Sequence, residues 1–108
     1  MYLPLVKSYP GLQLDALGDA TRRGILGQLL NGPLPVGELA GHFPVSRPAI
    51  SQHLRILKEA QLVTDMAAGT RRLYAINREG FESLREYFDQ FWTTALSEFK
   101  KKVEADKQ

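Results

Sequence analysis

Gln52 and Arg55 stand three residues apart in the segment 47–60, with Ser51 beside them and Ser46 just ahead of the segment. A primary amide can pair bidentately with adenine and a guanidinium with guanine, while hydroxyls suit phosphate oxygens. At about 100° per residue, Pro48, Gln52, Arg55 and Glu59 point nearly opposite to Ile50, Leu54 and Leu57. Those three recur at i, i+4 and i+7 and form a buried stripe. The opposite face therefore carries amide, hydroxyl and guanidinium groups where a face built only for solubility would mix Glu and Lys. A merely solvated face is the plainer alternative; base-edge recognition explains the residue types better. Arg47 and Lys58 flank the face and suit phosphates. His53 falls between stripe and face, where an orienting or phosphate-contacting role fits better than base reading or metal ligation. His42, near a turn, reads as structural or exposed.

A helix that presents such a face needs a start, a support and neighbours. Ser46 can accept from the free amides at its beginning, and Pro48 falls in the first turn, where a missing N–H costs nothing. Before it, a short helix over about 36–42 buries Val36, Leu39 and Ala40, and Phe43-Pro44-Val45 makes the turn between them. Asp19 can cap an earlier helix over 20–30, in which Ile25, Leu26, Leu29 and Leu30 share one face. Asn31-Gly32-Pro33 ends it. A weak first helix around 13–17 offers Leu12, Leu14 and Leu17. After the outward-facing helix, two β-prone runs over 62–67 and 71–76 flank Ala68-Gly69-Thr70 and read as a hairpin. Leu73 and Tyr74 point to opposite faces, leaving Arg71, Arg72 and Tyr74 available near the tip. Ordinary hairpin solubility is the alternative there. Asn77 can cap a last helix over about 79–102.

Two short helices joined by a tight turn, the second with a polar outward face, and then an arginine-bearing hairpin make a winged helix-turn-helix. Such a unit lays its second helix in a major groove and its wing on adjacent backbone. The charge distribution agrees. Residues 1–78 hold nine cations against five acids, residues 79–108 five against seven, within a net charge of +2. The front of the chain thus suits a polyanion.

The last helix raises a different question. Phe81, Leu84, Phe88, Phe91, Trp92, Ala95, Leu96 and Phe99 place eight apolar residues over nineteen positions. They could pack on their own domain, pair with a second copy, or line a cavity near Tyr87, Phe91 and Trp92. Eight exceed what a small helical core must cover, which favours pairing with a second copy.

Other function classes fare worse. With no cysteine there is no disulfide and no thiolate chemistry. Two histidines, no Gly-x-Ser-x-Gly and no phosphate-cradling glycine loop leave no nucleophile–base pair, so the expectation is that the chain is not an enzyme. A winged helix used for protein contacts would show an apolar or acidic outward face, against Gln52, Arg55, Arg71 and Arg72. No apolar run reaches the roughly 20 residues of a membrane span, and residues 1–10 lack the apolar stretch of a signal peptide. The expectation is a cytoplasmic, nucleoid-associated protein.

The stretch Leu14-Asp15-Ala16-Leu17-Gly18-Asp19-Ala20-Thr21-Arg22-Arg23-Gly24-Ile25-Leu26 resembles the opening of ArsR-family bacterial repressors. Val36-Gly37-Glu38-Leu39-Ala40 and Ser46-Arg47-Pro48-Ala49-Ile50-Ser51-Gln52-His53-Leu54-Arg55-Ile56-Leu57-Lys58 resemble that family's helix-turn-helix. Leu62-Val63 and Gly69-Thr70-Arg71-Arg72-Leu73-Tyr74 resemble its wing. The resemblance covers roughly residues 14–77. It implies a homodimeric repressor of a double-stranded DNA operator, with first and last helices, hence Leu14 and Leu17, in the dimer interface. Metal-sensing members of the family use cysteines before the recognition helix or Asp/His pairs in the last helix. Here Glu38-Leu39-Ala40-Gly41-His42 has no thiol and the last helix no histidine, so the chain resembles a cysteine-free branch whose signal is often not a metal.

The expected fold is therefore mainly α with a small β-hairpin, one winged-helix domain over 1–108. Residues 12–77 form its DNA-binding core and 78–108 a dimerisation helix. The expected DNA-binding residues are Ser46, Arg47, Pro48, Ser51, Gln52, His53, Arg55, Lys58, Arg71 and Arg72. The expected dimer residues are Leu14, Leu17, Phe88, Phe91, Trp92, Ala95 and Phe99. No metal or cofactor and no membrane partner is expected, and the sequence names no effector.

Overall fold

The computed structural model describes residues 9–106; Lys7, Lys107 and most of the segment 1–10 lie outside the described residues. Helices α1 (Tyr9–Leu17), α2 (Ala20–Leu29), α3 (Val36–Ala40) and α4 (Arg47–Glu59) come first. The short strand β1 (Leu34–Pro35) lies between α2 and α3. Strands β2 (Val63–Ala68) and β3 (Arg71–Ile76) follow α4, and α5 (Arg78–Asp106) ends the chain.

Capping starts these helices where the sequence expects it. The Arg22 N–H donates to Asp19 Oδ2 at 3.0 Å, and the Ala49 N–H to Ser46 Oγ at 3.2 Å. The Gly80 N–H donates to Asn77 Oδ1 at 3.1 Å at the start of α5. Each bond satisfies an amide that the first helical turn leaves free. The core gathers Ile25, Leu26 and Leu29 of α2, Leu39 of α3, and Ile50, Leu54 and Leu57 of α4, closed by Leu62 and Val63. The α4 stripe is fully buried, so the helix is fixed in rotation by three apolar side chains. Its opposite face is fixed with it.

The wing differs from expectation in two respects. The sheet has three antiparallel strands in the order β1-β3-β2, because Leu34 pairs with Tyr74 and Pro35 with Leu73. A strand of two residues carries no periodicity to read, and a proline is tolerated there because β1 is an edge. With β3 in the centre, Tyr74 packs against the core and is not available at the tip. Gly69, at φ 65°, supplies the left-handed residue in the turn between β2 and β3.

Other corrections are local. The first helix starts at Tyr9 and spans nine residues, with Pro10 in its first turn, where it needs no N–H. Leu30 is not on the buried face of α2; it is the C-cap and 78% exposed. The last helix runs to Asp106, four residues beyond the expected end.

At the base of the domain α5 touches the loop after α4. Gln61, at φ 65°, lies so close to Gly80 that a Cβ there would sit 1.5 Å from the Gln61 carbonyl oxygen. Gln13 of α1 donates its amide to the Gly80 carbonyl at 2.8 Å, fully buried. Beyond Leu84 the helix leaves the domain. The described chain measures 68 × 36 × 24 Å with a radius of gyration of 18.5 Å, against about 13 Å for a compact fold of this length.

Candidate nucleic-acid interface

Pro48, Ser51, Gln52 and Arg55 are all exposed on the outward face of α4. Arg55 donates through Nε to Gln52 Oε1 at 3.4 Å and through Nη1 to Glu59 Oε2 at 3.3 Å. Both partners of the latter pair are more than half exposed, so these contacts hold the face loosely and exchange readily with water or another ligand.

The wing and α4 share one cleft. Arg47 from the start of α4 and Thr70, Arg71 and Arg72 from the wing line a cavity of about 520 Å³ together with Gly37 and Glu38 at the start of α3. Three guanidiniums thus border one hollow next to the exposed face of α4. A surface of this curvature and charge suits a phosphodiester backbone that continues from the groove α4 would occupy.

Two of the cations are held from below. Asp65 of β2 accepts from Lys58 Nζ at 2.7 Å through Oδ1 and from Arg72 Nε at 2.7 Å through Oδ2. Its side chain is only 9% exposed, while each cation is 54% exposed. The hydrogen bond from Lys58, with both positive charges, keeps the Asp65 carboxyl below its ordinary value against the opposing effect of burial.

His53 is half-buried on the shoulder of α4 that faces α2. The Arg22 guanidinium donates to its Nδ1 at 3.3 Å, and Asp19 Oδ2 lies 3.9 Å from the same atom. Arg22 also donates Nε to the Ala16 carbonyl at 2.8 Å, so one side chain ties α1, α2 and α4 together. Asp19 is held below its ordinary carboxyl value, first by the Arg22 N–H and then, against burial, by the nearby Arg22 guanidinium. His53 thus links α4 to α2 through Arg22 and lies off the Gln52–Arg55 face.

The structure brings together Arg47, Arg71 and Arg72, pairs Lys58 with Arg72 through Asp65, and presents Ser51, Gln52 and Arg55 as one surface. Sequence reasoning missed Asp65, Thr70 and Arg22. Asp65 had one legible signal, an acid inside a β-prone run. Its link to Lys58 crosses the end of α4 and needs the fold.

The dimer candidates divide. Leu17 is half-buried and packs on the core, whereas Leu14 is 38% exposed. On α5, Phe88, Phe91, Trp92, Ala95 and Phe99 are exposed, Trp92 to 71%, and Leu96 joins them. Tyr87 meets Phe88 and Phe91 edge-on at 5.8 and 5.1 Å, which orders the start of the stripe. Among the described residues no group of three or more His, Cys, Asp or Glu could hold a metal ion. No described helix is long and apolar enough to cross a membrane.

Known proteins resemble this chain in sequence and in fold. The profile of the bacterial regulatory protein, arsR family, matches residues 19–65. The HTH-type transcriptional regulator Rv2034 of Mycobacterium tuberculosis is 50% identical over 97 residues, covering 90% of this chain and 91% of that protein. The transcriptional repressor SdpR of Bacillus subtilis is 44% identical over 62 residues, covering 57% of this chain and 69% of the other. Among solved structures, the homodimeric winged helix-turn-helix DNA-binding domain Mb0332 from Mycobacterium bovis superimposes with a TM-score of 0.62. It is 26% identical, covering 81% of this chain and 78% of that one.

Proposed function

The chain belongs to the arsR family of bacterial regulatory proteins, and on that footing we propose that it is a homodimeric repressor that binds a palindromic DNA operator. The observation that carries this reading is the rotation of α4. Ile50, Leu54 and Leu57 are wholly buried, which leaves Ser51, Gln52 and Arg55 outward beside the cleft of Arg47, Arg71 and Arg72. Base-reading groups and phosphate-binding groups therefore share one surface.

In this reading α4 enters the major groove, Gln52, Ser51 and Arg55 read bases, and Ser46 and Pro48 sit at the helix end nearest the backbone. Arg47, Lys58, Arg71 and Arg72 take phosphates, and His53 positions the helix. Residues 12–77 bind DNA, and 78–108 with Leu14 and Leu17 pair two copies, so that two recognition helices read half-sites about 10 base pairs apart. The relative named as a repressor and the neighbour named as homodimeric support the assignment. The protein acts by binding, without catalysis, on the nucleoid in the cytoplasm. Its own promoter is a natural target.

The test is selection from a random-sequence duplex pool by the purified chain. Enrichment of a two-fold-symmetric site with half-sites about 10 base pairs apart supports the reading. A pool that stays random through successive rounds overturns it.

A second reading adds a small-molecule signal. A strongly apolar cavity of about 350 Å³ lies between α1, α2, β3 and α5, lined by Leu17, Leu26, Leu30, Ile76 and Phe81 with Arg23. It joins the proposed pairing helices to the DNA-binding core, as an effector site would. Loss of operator binding on adding an apolar carboxylic acid supports this reading, and unchanged binding removes it.

A further inference from the structure

Asp65 is an acid placed directly beneath a surface that binds a polyanion in the reading above. Glu59 also pairs with a cation of that surface, but its pair with Arg55 is long and exposed on both sides. Asp65 differs in each respect. It is nearly buried, it holds two cations at 2.7 Å, and the two come from different elements, Lys58 from α4 and Arg72 from β3.

The hairpin register explains the placement. Arg72 lies opposite Ala67, two residues from Asp65 on the same face of the sheet, so Asp65 and Arg72 form a diagonal cross-strand pair. Lys58 reaches the other carboxylate oxygen from the last turn of α4. The carboxylate does not use the cations up. Arg72 engages it through Nε, and neither Nη atom donates to another described residue. A lysine ammonium has three donors, of which one is taken.

From this geometry we propose that Asp65 is a specificity-determining residue, a carboxylate strut that fixes the spacing of Lys58 and Arg72 against the DNA backbone. The role rests on the DNA-binding reading and deepens it. Two effects act together. Holding both side chains in place beforehand reduces the ordering cost of docking in one register. Cancelling one of the two charges weakens adsorption to phosphate in any register, because that adsorption follows charge and not sequence. Both raise the ratio of specific to non-specific affinity.

Two variants separate charge from position, with Glu38→Gln as the charge control. Glu38 lines the cleft that Arg72 borders and holds no cation among the described residues. The probes are a duplex enriched by the wild-type chain from a random pool and a scrambled duplex of equal length, titrated with salt. Asp65→Asn should tighten the scrambled duplex about threefold or more and steepen its salt slope by up to about 0.9. The selected duplex should gain less, so the ratio falls. Asp65→Glu keeps the charge, so the scrambled duplex should bind as for wild type while the selected duplex weakens. E38Q should move both duplexes by one factor. Circular dichroism at neutral pH establishes that each variant is folded, and D65E keeps the test open if D65N is not.

The role is overturned if D65N shifts both duplexes by the same factor, as E38Q does, or if D65E keeps the wild-type ratio. A wild-type chain that prefers no sequence overturns the DNA reading itself, and this inference with it. That failure is visible before any variant is made.

Discussion

Gln52 carries a side-chain amide that nothing in the core requires, and α4 holds it outward. If it pairs with a base edge, Gln52→Ala should cost about 1–3 kcal/mol on the specific site and little on scrambled DNA. Competition titration with the two duplexes measures this, and an equal loss on both removes Gln52 from base reading. Arg72→Ala should weaken both duplexes, the selected one more than the scrambled one, and flatten the salt slope by about one unit. An unchanged slope would take the wing off the phosphates. Asp65 gives a pH signature. Its carboxyl is depressed below its ordinary value of 3.8, so its contribution to stability is present above that value and is lost as pH falls through the depressed one. Thermal unfolding followed from pH 5 downward should therefore show a shallower acid limb in D65N than in wild type below about pH 4. Identical acid limbs would mean that the two ion pairs contribute nothing. At this scale the sequence showed which groups face outward, because one apolar stripe fixes a helix in rotation. It did not show which cations share a carboxylate, since Lys58, Asp65 and Arg72 meet only when α4 and the hairpin are packed.

Elements were legible in proportion to their periodicity and their caps. Helix α4, with Ser46 before it and Pro48 in its first turn, could be read almost to its ends. The pair β2–β3 was legible from a glycine-bearing turn, whereas β1 was not, because two residues beside prolines make no pattern. That missed strand explains the one misread side chain of the wing: it makes β3 central and draws Tyr74 to the core. The close passage of α5 over Gln61 was also invisible, as it depends on a backbone approach with no side-chain signature. It yields a sharp expectation for the element. Gly80→Ala would push a methyl into the Gln61 carbonyl, and should destabilise the fold by about 3 kcal/mol or cost it altogether. Thermal or urea unfolding reads this directly, and a wild-type midpoint would show that α5 can move off the domain at little cost.

The molecule as a whole is a small core with a long lever. Helix α5 has 29 residues, about 44 Å, and only its first two turns are buried against the domain. From Phe88 onward it carries Phe91, Trp92, Leu96 and Phe99 into solvent, an apolar surface that a stable monomer would not keep exposed. The aromatic surplus was countable in the sequence; that the helix leaves the domain to present it was not. Two copies joined along this stripe would hold two α4 helices at a fixed separation, and each would contribute to one bivalent contact. Trp92→Asp should then give a monomer on sedimentation, with much weaker operator affinity and an intact fold. A surviving dimer would move the interface elsewhere. The central claim, a dimer that reads DNA sequence through α4, is tested most directly by one salt titration. The duplex upstream of the protein's own gene is compared with a scrambled duplex, with stoichiometry recorded and with and without added zinc. The account predicts two chains per duplex, preference for the native sequence at moderate salt, and no response to zinc. Equal binding to both duplexes, or none to either, would contradict it.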